Sequence, residues 1–240
     1  MNARTSPTTA YWQQLLDGWP DGTPPKPPYR LDYPVMLPNG RVLVLPLREL
    51  PQGGQAVASL IANQASFAVV DALAGHMSAL VRAQDIDVVV GLPTLGLTFA
   101  PLVAHRLGHQ RYVPLGYSRK FWYDDALSEP IVSITSPGGQ KRLYLDANAA
   151  PLLERKRVCL VDDAVSTGAS IIAAHRLFAR LGLNVTIVVV AMKQTTRWMA
   201  SLAQLSPQLS EAVQAVFACP LFEWKGTGWV PVDGSLPAIP

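Results

Sequence analysis

The chain has 240 residues, 49% hydrophobic and 15% charged, enough for one large folded domain or two small ones and too apolar for a disordered chain. A net charge of +3 with no basic run gives no reason to expect nucleic acid or a membrane surface as a partner. The longest apolar run, around VTIVVVAM, falls far short of the ~20 residues a spanning helix needs.

The start, MNARTSPTTAYWQQ, has no apolar h-region, so no secretory signal is expected. Cys159 and Cys219 read as buried free thiols, which fits a reducing cytoplasm. Residues 1–34 read as a Pro-rich extension, with five prolines in the eleven residues WPDGTPPKPPY. YPVMLPNGRVLVLPL then sets Asn39-Gly40 between two apolar runs, a hairpin signal that opens a core expected over 35–220. From Ala56 to about Arg82 apolar residues recur at helical spacing, as two helices or one broken helix. IDVVVGLP reads as a buried strand, LTFAPLVAHRL as a helix and RYVPLGY as a strand.

Lys120 to Asp146 is irregular, with strand candidates IVSIT and RLYLD around Ser136-Pro137-Gly138-Gly139. RVCLVDD is a strand, ASIIAAHRLFARLG a helix ending at Gly182, and NVTIVVVAM a strand. In that helix Ile171, Ala174, Phe178 and Leu181 share one face, and Arg176 and Arg180 another. Residues 221–240 form an aromatic C-terminal tail. Continuous apolar strands alternating with helices predict an α/β fold: a parallel sheet flanked by helices, with a small N-terminal hairpin or hood.

Chemistry concentrates in VCLVDDAVSTGAS. Ligands bind at the carboxyl ends of strands in such a sheet, and a helix N-terminus offers free N–H groups and a partial positive charge. Ala164 to Ser170 supplies small side chains, the hydroxyls of Ser166, Thr167 and Ser170, and a relaxed turn at Gly168, a description that fits a phosphate monoester. Adjacent Asp162 and Asp163 would repel that phosphate unless something satisfies both. Vicinal ribose hydroxyls do so as donors, and a divalent cation neutralises the remainder. The plain alternative is that Asp163 caps the next helix and Asp162 is solvated. The P-loop pattern, G-x-G-x-x-G and G-x-S-x-G are all absent, and the acid pair lacks the later aspartate of a receiver domain, since only Asp233 follows it.

These residues resemble the phosphoribosyl-diphosphate (PRPP) motif of the type I phosphoribosyltransferases. DVVVGLPTLGLTFA resembles the family's earlier strand, its pyrophosphate loop and the next helix. GYSRK resembles the strand ending in an Arg-Lys pair before a mobile loop, as in adenine phosphoribosyltransferases. The resemblance covers Ile86 to Lys193 and implies transfer of ribose 5-phosphate from PRPP to a nucleobase, a purine first, with release of pyrophosphate. It implies that Asp162 and Asp163 bind the ribose hydroxyls, and that Ala164, Val165, Ser166, Thr167, Gly168, Ala169 and Ser170 wrap the 5′-phosphate. Thr94, Leu95 and Gly96 would present N–H groups to the pyrophosphate, with a cis peptide near Thr94, and Arg119 and Lys120 would meet it as it departs. Lys193 would bond a base oxygen, as in 6-oxopurine members, and Phe222, Trp224 and Trp229 offer faces for stacking.

Magnesium is expected to arrive with PRPP and to need no direct protein ligand, Asp162 being the one candidate, and a homodimer is expected. Ala169 departs from the Gly of many members. The 120–146 loop matches the family poorly, which leaves open a non-catalytic PRPP-binding regulator on the same fold. Lys141 and Arg142, and likewise Asp124-Asp125, read as solvated loop charges. His105 and His109 lie four apart on a helix without a matching acid or cysteine, and His175 is expected to face solvent.

Overall fold

Asn39-Gly40 turns the chain: Gly40 takes φ 81° and Leu37 donates its N–H to the Arg41 carbonyl at 2.8 Å. In the computed structural model, which describes residues 9–131 and 141–239, this turn joins strand β1 (Asp32–Met36) to β2 (Val42–Glu49), antiparallel. β3 (Gln55–Ala58) continues the sheet, and the C-terminal segment adds β11 (Leu221–Trp224) and β12 (Trp229–Pro231), giving the order β1-β2-β3-β11-β12. Tyr29 exchanges backbone hydrogen bonds with Trp229 at 2.8 and 2.6 Å, so the Pro-rich extension ends by tying the last strand of this sheet to the chain entering its first.

Ala56–Ala58, read from periodicity as helical, are strand. Three small and apolar residues fit either period, and hydrogen-bonded neighbours on both edges decide for β3. Helix α1 (Phe67–Val81) starts later, where the Ser66 hydroxyl accepts the Val69 N–H at 3.3 Å.

A parallel sheet forms the second layer. Its strands are β4 (Val88–Gly91), β5 (Val113–Pro114), β8 (Arg157–Val165), β9 (Asn184–Gln194) and β10 (Val213–Cys219), in the order β10-β9-β8-β4-β5. Helices α2 (Gly96–Arg106), α3 (Ala169–Arg180), α4 (Arg197–Leu205) and α5 (Pro207–Glu211) run between the strands or flank them. A hairpin, β6 (Ser128–Pro130) with β7 (Arg142–Tyr144), stands beside α3. The strand expected at IVSIT lies, apart from Ile131, outside the described residues, as does the Ser136–Gly139 turn; the described partner of RLYLD is Ser128–Pro130.

Both faces of the parallel sheet are buried, which is why its strands read as unbroken apolar runs. Val89, Cys159, Val161 and Val189 share one cluster with Val69, Leu73 and Phe99 and with Leu43, Leu45, Phe222 and Trp229 of the antiparallel sheet. Val90, Leu160, Val188 and Val190 face the other way, onto Ile171, Ala174 and Phe178 of α3 and Trp198 and Leu202 of α4. Both cysteines are buried and free. No helix among the described residues is long and apolar enough to cross a membrane.

Candidate active site

Asp162 and Asp163 lie inside β8, not at its end: the strand runs on to Val165, which pairs with Lys193 of β9. The turn that follows is therefore short, Ser166 to Gly168, before α3 begins at Ala169. Gly168 has φ 78°, the left-handed region that favours glycine, and a Cβ there would also push on the tip of the Leu202 side chain. A small cavity of about 70 Å³ opens at this turn, lined by Asp162, Ala164, Val165, Thr167, Gly168, Ala169, Ser170 and Ile171. The structure thus brings Asp162 and the hydroxyls of Thr167 and Ser170 around one space at the N-terminus of α3; Asp163 and Ser166 do not line it.

Asp162 is only 7% exposed. Its Oδ1 accepts the Asp163 N–H at 2.9 Å, and the Gly96 backbone packs against it. Burial, with the charge of Asp163 beside it, pushes the Asp162 carboxyl well above the usual carboxylate range; burial raises Asp163 too, against the N–H groups it accepts. Two buried like charges side by side make a site that gains from hydroxyl donors or a cation.

The Pro93–Thr94 peptide is cis. Leu95 sits at the N-cap of α2, and Gly96 is the first helical residue. A Cβ on Gly96 would come within 2.7 Å of both Asp162 Cα and the Val161 carbonyl, so only glycine lets this loop touch the acid strand. Thr94, Leu95, Gly96 and the acid pair therefore form one contiguous surface made from β4–α2 and β8.

Arg119 and Lys120 follow β5 and are exposed. Arg119 donates from Nε to Asp125 at 2.8 Å, an interaction in which Asp125 is held below the usual carboxylate range by the guanidinium. Asp124 caps a short 3-10 turn by accepting the Ala126 N–H at 2.8 Å. Both acids are exposed on this turn, as the expected solvated turn requires, with Asp124 capping it and Asp125 paired with Arg119. Arg142 donates to Ser128 Oγ at 2.8 Å, and Lys141 Nζ stands 3.6 Å from the centroid of the Tyr117 ring, so these cations are also engaged. Tyr117, half-buried under Lys141 and beside α3, carries no signal in the sequence, where GYSRK stands out only through its Arg-Lys pair.

Lys193, Trp224 and Trp229 are not gathered at one point. Lys193 is 8% exposed; its Nζ donates to the Ala238 carbonyl at 3.0 Å, lies 5.8 Å from the Trp198 ring centroid, and burial lowers its pKa. Trp229 and Phe222 are fully buried. Trp229 meets Trp224 edge-on at 5.0 Å, and Phe222 meets Tyr33 at 5.0 Å, so these two rings pack the antiparallel sheet and offer no open face to a base. Trp224 is half-buried. His109 falls beyond the end of α2, so it does not share a helix face with His105, and His175 is half-buried with an enclosed Nδ1 that finds no partner.

The chain is similar to known proteins over most of its length. The curated adenine phosphoribosyltransferase of Frankia alni is 29% identical over 150 residues, 61% of this chain and 74% of that one. That of Acidobacterium capsulatum is 29% identical over 127 residues, 52% of this chain and 64% of its own length. Crystal structures of adenine phosphoribosyltransferases from Thermoanaerobacter pseudethanolicus and Saccharomyces cerevisiae superpose with TM-scores of 0.56 and 0.54 over 72% of this chain, covering 95% and 94% of theirs, at 19% and 20% identity. Such identities establish the fold alone. Residues 56–217, however, match the family described as the phosphoribosyl transferase domain, and the chain belongs to that family.

Proposed function

We propose that this protein is a PRPP-dependent phosphoribosyltransferase, with adenine as the first acceptor to consider. The observation that carries it is the buried Asp162, with half-buried Asp163 beside it in β8, lining one cavity with the hydroxyl-rich turn at α3 while the Gly96 loop presses against its backbone. In this reading the ribose hydroxyls donate to the two carboxylates, and the 5′-phosphate enters the cavity at Thr167–Ser170. The backbone of 94–96 and the cations Arg119 and Lys120 offer donors to the leaving pyrophosphate, where negative charge grows as the ribose C1–oxygen bond breaks. A nitrogen of the base then bonds to C1. Arg119 would exchange Asp125 for pyrophosphate oxygens, and the same ion pair keeps it oriented until then.

In this reading magnesium enters carried on PRPP, and the Asp162 carboxylate at the cavity is the acid that would add to a shell of substrate oxygens. Bound there, the ion would neutralise charge on the phosphates. For the acceptor, the engaged Nζ of Lys193 is poorly placed to serve a 6-oxo group, and the curated relatives carry adenine in their names. A pyrophosphate-release assay with PRPP, magnesium and a panel of bases tests the reading. Turnover with adenine above other bases is expected; folded protein that turns over no base refutes it, and binding of PRPP without turnover returns the regulator in its place.

A further inference from the structure

A cavity of about 320 Å³ lies between α4, α5, β10 and the C-terminal residues 237–239. It shares no lining residue with the cavity at the turn before α3. Trp198 stands between the two: it lines the first, and its Cβ is 3.6 Å from where a Cβ on Gly168 would sit, in the wall of the second. The size suits a small organic ligand. Met199 of α4, Val213 of β10, Pro237 and Ile239 make much of the wall apolar.

Lys193 breaks that apolar lining. It lies near the carboxyl end of β9 and is 8% exposed. Its Nζ stands among other residues of the same wall, 3.0 Å from the Ala238 carbonyl to which it donates and 5.8 Å from the centroid of the Trp198 ring. One main-chain carbonyl is a weak counterpart for a buried ammonium with three donors, and no carboxylate among the described residues pairs with it. Burial lowers its pKa, as expected of a cation short of compensation. Glu211, the other charged residue of the lining, is exposed and belongs to the far end. Val213, just after it, pairs with Val188, and Lys193 lies about 16 Å further along β9.

We propose that this cavity is a second ligand site, which takes a small carboxylate with an apolar chain. The carboxylate accepts hydrogen bonds from Lys193 Nζ, and the chain lies against Met199, Val213 and Ile239. Leu236 and Ile239 are half-exposed, so little apolar burial is lost when that wall moves outward to admit a ligand.

Calorimetry with hexanoate and its neutral counterpart hexanamide tests the site on the full chain. Hexanoate should bind at least about tenfold more tightly, the scale of a hydrogen bond to a charged group. Lys193→Met keeps the length of the side chain and should erase that preference. Ile239→Asp sets a negative charge on the exposed C-terminal segment, where the core does not depend on it. It should weaken hexanoate and spare hexanamide, which keeps the test alive if Lys193→Met fails to fold. The Asp162→Asn, Asp163→Asn double variant should bind hexanoate as wild type does. No saturable hexanoate binding by wild type, equal binding of the two probes, or an unchanged preference in Lys193→Met or Ile239→Asp overturns the site. Loss of hexanoate binding in the double Asn variant puts the ligand in the other cavity and overturns it as well. None of these readouts involves PRPP, so the two readings fail separately.

Discussion

Asp162 and Asp163 work against the fold. Their carboxyls are raised by burial, so the folded state binds protons more tightly than the unfolded chain between the ordinary pKa of 3.8 and the raised values. Stability contributed by this pair is therefore highest at low pH and falls as pH rises through that window. Replacing both by Asn removes the charge and keeps the shape. The variant should match the wild-type melting midpoint near pH 4 and exceed it at pH 7–8 by about 2–4 °C, while PRPP affinity collapses; calorimetry across pH measures both. An equal pH profile for the two proteins would contradict the buried, like-charged pair. Gly96 makes the complementary case. Gly96→Ala puts a Cβ against backbone on both sides, at 2.7 Å from Asp162 Cα and the Val161 carbonyl, so neither neighbour yields easily. A cost of about 1–3 kcal/mol is expected, together with a rise of at least about tenfold in KM for PRPP, because the loop must leave the acid strand.

Among the elements, α3 does more than present its N-terminus. Its buried face, Ile171, Ala174 and Phe178, fixes it on the sheet, while Arg180 reaches from its far end to the hairpin. That guanidinium donates to the Ala126 and Ser128 carbonyls at 3.1 and 2.8 Å and pairs with Glu129 at 3.3 Å. One helix therefore holds the Ser166–Gly168 turn at one end and anchors the β6–β7 hairpin, which carries Lys141, at the other. Arg180 is half-exposed, so Arg180→Ala should lower global stability by no more than about 1 kcal/mol. Local effects should be larger: hydrogen exchange at residues 127–130 and 142–145 is expected to speed up about tenfold, with the β8 amides unaffected. Unchanged protection in the hairpin would show that its own strand pairing suffices.

At the scale of the whole molecule, the two sheets share a core. Trp12, Leu45, Phe222 and Trp229 belong to the same buried cluster as Val69, Phe99 and Val161, and Gln194 at the end of β9 donates to the Ala58 carbonyl of β3 at 2.7 Å. Segments from both ends of the chain complete the antiparallel layer, so it cannot melt without uncovering α1 and α2. Phe222→Ala should cost about 3–5 kcal/mol, and the tryptophan-fluorescence and far-UV melts of the variant should coincide. Two separated transitions would show that the layers unfold independently.

The amino-acid sequence by itself determined the parallel α/β core and the acid–turn motif, because both are local. Apolar runs, helix faces and the order Asp-Asp, small turn, helix are written in consecutive residues, and local hydrogen bonding and helix N-terminal geometry follow from them. The hairpin at Asn39-Gly40 was legible for the same reason. Tertiary structure decided what depends on partners distant in the chain. Ala56–Ala58 became strand because β2 and β11 flank it. Asp125 and Arg142, plain loop charges in the sequence, acquired Arg119 and Ser128. Phe222 and Trp229, aromatic enough to suggest stacking on a base, went into a core that their own letters do not specify, and Lys193 found Ala238, 45 residues away. Sequence spacing reports which groups lie on one turn or one face; only packing tells which of them is left facing open space for a ligand.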